Sequence, residues 1–202
     1  LTAKRIAAMS GLARGKPGVY ILAARSASYR LMPRDRFRES HIVIRRGGSL
    51  DPIGALETLA GLGYERADRC EGEGQMSFKG GVLDVIPPGS DKGLRAEFFG
   101  DEVESLRYFD PETQRSIGRA EEAVLPPARE MCPSKEELEA GMSRIREALE
   151  KAVEAAKSAG DGGVRLKAAS ILSERVKAHL EKLGTAGRFD NDEQYIGYFY
   201  PR

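Results

Sequence analysis

The sequence predicts a mixed α/β and α+β fold in three parts: a piece of an α/β layer, a small antiparallel β-rich α+β module, and a helical hairpin. Three observations predict it. Helix and strand signals alternate as far as about Arg46. Between Met76 and Phe99, apolar residues recur with a period of two between turns marked by Gly and Pro. From Leu138 to Leu183 they recur at spacings of three and four. The expected divisions are residues 1–46, 47–128 and 129–202.

In the first zone, Lys4–Ala13 has helix-forming composition and stops at Gly15 and Pro17. Val19–Ala23 reads as a short buried strand, Pro33–Ser40 as a short polar helix, and His41–Ile44 as a second apolar run. These strands are too few to close a sheet, so the zone is expected to lack its native partners. The chain starts at Leu1 inside a helical pattern and stops at Tyr200-Pro201-Arg202, just after an aromatic cluster. Both ends lead us to expect an internal piece of a larger protein.

In the second zone, Asp51 is placed to cap a helix that has Pro52 at its first position. Leu56, Leu59 and Leu62 form its apolar stripe, and Gly63 suits its C-terminal cap. Strands follow at Met76–Lys79, Val82–Ile86 and Leu94–Phe99. They are separated by turn signals at Gly80-Gly81, Pro87-Pro88-Gly89-Ser90, Gly100-Asp101 and Asp110-Pro111. That spacing is an antiparallel meander with one helix.

In the third zone, Ser134 and Glu137 make a capping box. Leu138, Met142, Ile145, Leu149 and Val153 give one helical stripe. Gly160-Asp161-Gly162-Gly163 breaks it, and Leu166, Leu172, Val176, Leu180 and Leu183 give a second, ending at Gly184. The aromatic tail, Tyr195, Ile196, Tyr198, Phe199 and Tyr200, is expected to pack on the first zone or on sequence outside the chain.

Composition excludes several functions. The chain has 202 residues, 31% charged and 41% hydrophobic, with a net charge of +1. This is an ordinary soluble composition, without the basic excess of a strong nucleic-acid binder. Local basic text exists at Arg34, Arg36 and Arg38 and at Arg45-Arg46. No apolar run is long enough to span a bilayer, and we expect no signal peptide. Cys70 and Cys132 lie far apart without a CxxC or Cys/His cluster, which reads as two reduced thiols in a cytoplasmic protein and no metal site.

Catalytic text is missing too. Gly15-Lys16-Pro17-Gly18 lacks the Ser/Thr of a phosphate loop, and Pro17 removes a donor. His41 and His179 have no cysteine or carboxylate at ligand spacing and read as structural or solvated. The carboxylate pairs Glu102/Glu104, Glu121/Glu122 and Glu136/Glu137 read as solvated surface. We expect no catalytic residue and no cofactor site in this chain.

One strand stands out. Alternation puts Leu94, Ala96 and Phe98 on the core face of Leu94–Phe99, and Arg95, Glu97 and Phe99 on the other. The same parity sends Met76 and Phe78 inward and Ser77 and Lys79 outward. An aromatic beside an Arg suits a binding hot spot. An exposed Phe beside a cross-strand charge pair is also ordinary sheet decoration.

The residues that carry a resemblance run through this module. They are Gly63-Tyr64-Glu65-Arg66, then Gly74-Gln75-Met76-Ser77-Phe78-Lys79-Gly80-Gly81-Val82-Leu83-Asp84-Val85-Ile86-Pro87, then Arg95-Ala96-Glu97-Phe98-Phe99-Gly100-Asp101-Glu102-Val103-Glu104-Ser105-Leu106-Arg107 and Phe109-Asp110. This long ordered pattern resembles the UvrB-like N-terminal module of the bacterial transcription-repair coupling factor family (Mfd). The resemblance covers nearly the whole chain. Residues before Arg46 resemble the end of a UvrB-like α/β domain, and Tyr195–Phe199 resembles an aromatic stretch of the following helical domain. UvrB, the ATP-dependent excision-nuclease subunit, shares the middle module and is the alternative. The direct run from Val19–Ala23 through Pro33 to His41–Ile44, without hairpin-like aromatic text, favours the coupling factor.

The resemblance implies a non-catalytic interaction module that binds UvrA and recruits nucleotide excision repair to RNA polymerase stalled at DNA lesions. It implies UvrA-contacting roles for Lys79, Arg95 and Phe99, with Glu97 and Asp101 as further candidates. Where this chain has Lys79 the family usually has Arg, so a point charge replaces a planar fork. The resemblance further implies that the parent uses ATP for DNA translocation and meets RNA polymerase and DNA through other domains.

Overall fold

A computed structural model of the chain describes residues 2–21, 23–24, 30–158 and 163–201. It is a mixed α+β molecule in two compact units: Leu1–Ala23 with Pro33–Cys132, and Ala24–Met32 with Pro133–Arg202.

The first unit opens with helix α1, Thr2–Ala13, which buries Ile6. Tyr20 folds back onto it. Its hydroxyl donates to the Lys16 carbonyl at 3.0 Å, and its ring lies so close to Gly11 that a Cβ there would sit 2.5 Å from the phenol oxygen. The strand expected over Val19–Ala23 is not formed. Val19 and Ile21 are each 91% exposed and outside any strand, and Leu22 lies outside the described residues. A strand needs a neighbour to take its backbone hydrogen bonds, and among the described residues none pairs with this segment.

Helix α2, Arg34–Glu39, follows Pro33 and buries Phe37. Strand β1, Ile42–Arg45, then pairs antiparallel with β8, Glu122–Leu125, from Ile42↔Leu125 to Arg45↔Glu122. A first-zone segment thus closes on the far end of the second. His41 sits between α1 and α2. Its Nδ1 bonds the Phe37 carbonyl at 2.8 Å, and its Nε2 meets Ser10 Oγ at 2.9 Å. Burial holds its pKa below the usual histidine value.

Helix α3, Pro52–Gly61, starts as read: the Asp51 carboxylate accepts from the N–H groups of Ile53 and Gly54. Gly63 beyond it sits at φ +90°, where a side chain would be disfavoured. The main sheet contains β2 (Glu65–Arg66), β3 (Gln75–Lys79), β4 (Val82–Val85), β5 (Gly93–Phe99), β6 (Glu102–Phe109) and β7 (Ser116–Arg119), in that spatial order. All neighbours are antiparallel except β2 and β3.

One face of this sheet packs Met76, Leu83, Val85, Leu94, Ala96 and Leu106 against Leu56, Leu59, Tyr64, Ile44 and Leu125. Full burial of each large aliphatic side chain contributes about 1.5–3 kcal/mol. Met76, Leu94 and Ala96 thus face the core, as parity predicts. Phe78 and Phe98 are only half-buried and meet edge to face, centroids 6.4 Å apart.

Ser77 departs from the expectation of an outward, solvated residue. It is buried, and its hydroxyl donates to the Asp68 carbonyl at 3.2 Å. Loop residues cover part of the second face, around a small core of Cys70, Ile86 and Phe109. Gly93 makes room for that core: a Cβ there would lie 2.1 Å from the Phe109 ring.

The second unit holds α4, Lys135–Lys157, with the full Ser134/Glu137 capping box, and α5, Val164–Ala186. Of the break expected at Gly160-Asp161-Gly162-Gly163, the first three residues lie outside the described residues, and Gly163 is the residue ahead of α5. The end expected at Gly184 falls later, at Gly187, whose φ of +67° makes it the left-handed cap. Gly184 instead lies within α5, where a Cβ would make only an ordinary 3.4 Å contact with the Met142 methyl.

The aromatic tail, expected on the first zone or on outside sequence, meets Arg30 of the first zone, where a Cβ at Gly197 would lie 2.6 Å from its Nη1, and docks on α4 as well. A 3₁₀ turn (Asp192–Tyr195) and helix α6 (Ile196–Phe199) bury Ile196 and Phe199, with the Phe199 ring seated against Gly141. His179 of α5 shares a 2.8 Å hydrogen bond with the Tyr195 hydroxyl and stacks on Phe189.

Candidate docking face

The second face of the sheet carries the charged side chains. Its register lines up Ser77, Asp84, Arg95, Arg107 and Arg119 across β3 to β7. A second row runs Lys79, Val82, Glu97, Ser105. Lys79 and Glu97 therefore share a face but are separated by β4.

Arg95 does not extend freely into solvent. Its Nε and Nη2 grip the two Asp84 oxygens, each at 2.7 Å, and its guanidinium lies 4.8 Å from the Phe109 ring centroid. The bond to Asp84 holds the Arg95 pKa above even the usual arginine value. Gln114, at φ +61°, reaches under the same group. Its amide donates to the carbonyls of Cys70 at 2.9 Å and Pro111 at 2.7 Å, and its oxygen lies 3.4 Å from Arg95 Nη2. The planar fork is used inside the molecule.

Glu97 is also engaged. It accepts from the Ser105 hydroxyl and from Arg107 Nη2, both at 2.6 Å. The Ser105 bond, then the Arg107 charge, hold its carboxyl below the usual glutamate value. Arg107, Ser105 and Asp84 were not singled out from the sequence. Asp84 left a signal, as the lone carboxylate inside the β-branched run Val82–Ile86.

Lys79 and Phe99 are brought to one end of the sheet. Lys79 precedes the Gly80-Gly81 turn, and Gly81 accepts from the Phe98 N–H at 2.8 Å. Lys79 makes an exposed 3.0 Å pair with Asp68, of a kind that contributes only about 0–1 kcal/mol. Phe99 is 79% exposed. Asp101 lies in the following turn with its side chain exposed, and its carbonyl accepts from the Leu50 N–H at 2.7 Å. The face thus offers one large apolar side chain, a lysine whose present pairing is weak, and a free-standing carboxylate, beside a neutralised charge lattice.

The Cys70 thiol is buried and pushed up to about 12 by that burial, so it is no nucleophile. Among the described residues no cluster of three or more His, Cys, Asp or Glu could hold a metal ion. No described helix is long and apolar enough to cross a membrane.

Residues 42–131 match the family model described as the UvrB interaction domain. The chain is 31% identical to UvrABC system protein B of Chlorobaculum tepidum, over 98% of this chain and 28% of that protein. It is 28% identical to the transcription-repair-coupling factor of Bacillus subtilis, over 100% of this chain and 17% of that protein. It is 29% identical to UvrABC system protein B of Thermosipho africanus, over 96% of this chain and 29% of that protein. The chain therefore spans less than a third of the length of these relatives. Both kinds of relative align along nearly all of it, so the spacing ahead of Ile44 does not separate them.

Proposed function

We propose, from the match of residues 42–131 to the UvrB interaction domain, that this chain is a protein-interaction module of nucleotide excision repair that docks UvrA. One observation carries the reading: Phe99 stands 79% exposed at the end of β5, beside charges that are already paired. An apolar anchor ringed by polar groups is the usual anatomy of a binding hot spot. In this reading Phe99 is the anchor. Lys79 supplies a point charge, Asp101 meets a cation of the partner, and Arg95 and Glu97 hold the face in shape.

The finer reading is that the parent is a transcription-repair coupling factor, an ATP-driven translocase that brings UvrA to RNA polymerase stalled at a lesion. The ordered motif from Gly63 to Asp110, and an alignment that runs along all of this chain to 17% of the Bacillus subtilis protein, support it. The second reading is a fragment of UvrB itself, favoured by the greater number of UvrB proteins among these relatives. A parent that displaces stalled polymerase with ATP is a coupling factor, and one that joins damage incision is UvrB.

Calorimetric titration of the purified chain with UvrA tests the docking. Phe99→Ala should weaken binding by about 30-fold, an anchor-sized loss, with thermal stability unchanged. Undiminished affinity in that variant would remove Phe99 from the interface.

A further inference from the structure

One row of the polar face carries more positive charge than the sheet neutralises. Arg95 on β5 stands opposite Arg107 on β6, and Arg107 opposite Arg119 on β7. Like charges directly opposite each other across strands are destabilising. The first two are compensated, Arg95 by Asp84 and Arg107 by Glu97. Arg119 is exposed on β7 and has no acidic partner among the described residues.

Beside Arg119 opens a notch of about 400 Å³, lined by Arg46, Glu104, Ser105, Arg107, Ser116 and Arg119 among others. Its lining counts three arginines against one glutamate. Arg46 is held by Glu121 at 2.8 Å. Arg107 spends its Nη2 on Glu97 and Ser105, which leaves its other donors for a further acceptor. A guanidinium fork matches a carboxylate in shape as well as charge.

We propose that this notch receives a carboxylate side chain of the protein docked on the face, with Arg119 as its principal ligand. The inference rests on the docking reading and extends its footprint from the Phe99 end of β5 to the β7 edge. The incoming group binds through side-chain charge and not as an added strand. Gly118 and Ser116 pair with consecutive β6 residues and skip Ile117, and a bulge of this kind blunts an edge for further pairing. A protein carboxylate fits better than a nucleic-acid phosphate. The chain has a net charge of only +1, which gives a polyanion little long-range attraction.

The test is titration of the 202-residue chain with UvrA, comparing wild type with Phe99→Ala, Arg119→Ala, Arg119→Glu and Arg119→Lys. Melting curves check that each variant folds, and a duplex oligonucleotide serves as a second titrant. Arg119→Ala should weaken UvrA binding roughly 5- to 10-fold. Arg119→Glu should weaken it more and Arg119→Lys less, and the Ala variant should lose part of the salt sensitivity of the affinity. If Arg119→Glu binds UvrA like wild type while Phe99→Ala does not, docking stands and the carboxylate notch is overturned. If wild type does not bind UvrA, both fall. If Arg119→Glu lowers affinity for the duplex and leaves UvrA binding intact, the notch takes phosphate and the proposal is overturned.

Discussion

Arg95 and Asp84 stand opposite each other in the β4–β5 register, joined fork to fork by two 2.7 Å hydrogen bonds. The pair links the sheet to the small core of Cys70, Ile86 and Phe109, because the same guanidinium covers the Phe109 ring. Arg95 is thus a structural member of the face. A loss of partner binding on its removal has two physical causes, a missing contact and a loosened support.

Stability separates them. With side-chain exposures of 22% and 14%, the pair is largely shielded from water. Arg95→Ala leaves the Asp84 carboxylate shielded and without its fork, which should cost about 1.5–3 kcal/mol. Asp84→Ala should cost a comparable amount. In the double variant the orphaned charge is gone, so the two losses should fall short of additive by about 1 kcal/mol. Urea denaturation of the four proteins checks this, and strict additivity would mean the pair is not coupled.

Gln114 offers a sharper contrast. Its φ of +61° suits glycine, and a side chain there costs about 1 kcal/mol. Its amide, however, bridges the Cys70 and Pro111 carbonyls. Gln114→Ala keeps the backbone cost and loses the bridge, whereas Gln114→Gly loses the bridge and relieves the backbone. The expected order of melting temperature is wild type, then Gly, then Ala. A Gly variant more stable than wild type would mean the bridge contributes less than the backbone costs.

These cases show what the sequence made legible. The Asp51 cap, the Ser134/Glu137 box and the inward turn of Met76, Leu94 and Ala96 are local signals, and all three were readable. The exposure of Val19 and Ile21 was not, because a strand exists only when a distant segment pairs with it. Nor was the burial of Ser77, which depends on a loop folding over the second face. Arg95 and Phe99 share a parity, yet one is tied down and the other is free. What distinguishes them is that Asp84 falls opposite Arg95 across β4, a register fact that alternation within β5 does not contain. Gly184 and Gly187 are alike as residues, and what separates them is that α5 runs on past the first and turns left-handed only at the second.

Glu97 gives a pH dependence with a definite sign. Ser105 and Arg107 hold its folded pKa below the ordinary 4.5. A carboxyl whose pKa falls on folding contributes stability above its unfolded value, and that stability is lost as pH falls through 4.5 towards the folded value. Glu97→Gln should therefore melt below wild type at neutral pH, and the gap should close in acid. Asp110, held down by Thr113, and Glu136, held down by Ser134, are also lowered from their ordinary values, so some acid sensitivity should remain in the variant. Parallel melting curves down to low pH decide it, since a gap that persists in acid would mean the lost contacts of Glu97 are not ionic.

Gly141 sets two effects against each other in the second unit. It lies inside α4, where replacing glycine with alanine normally stabilises a helix by about 1 kcal/mol. Yet a Cβ at this position would come within 2.3 Å of Phe199 Cδ1 and 2.5 Å of its Cε1. Phe199 cannot simply retreat, because Ile196 and Tyr200 are buried with it and Arg144 bonds the Tyr198 carbonyl at 2.8 Å. Forcing a methyl group into a packed contact costs about 1–3 kcal/mol, so packing should win and Gly141→Ala should lower the melting temperature of the helical unit. Adding Phe199→Leu should recover part of that loss, since it removes the ring that clashes. Helical circular dichroism during thermal unfolding reads both variants, and a Gly141→Ala protein more stable than wild type would mean the tail does not dock on α4.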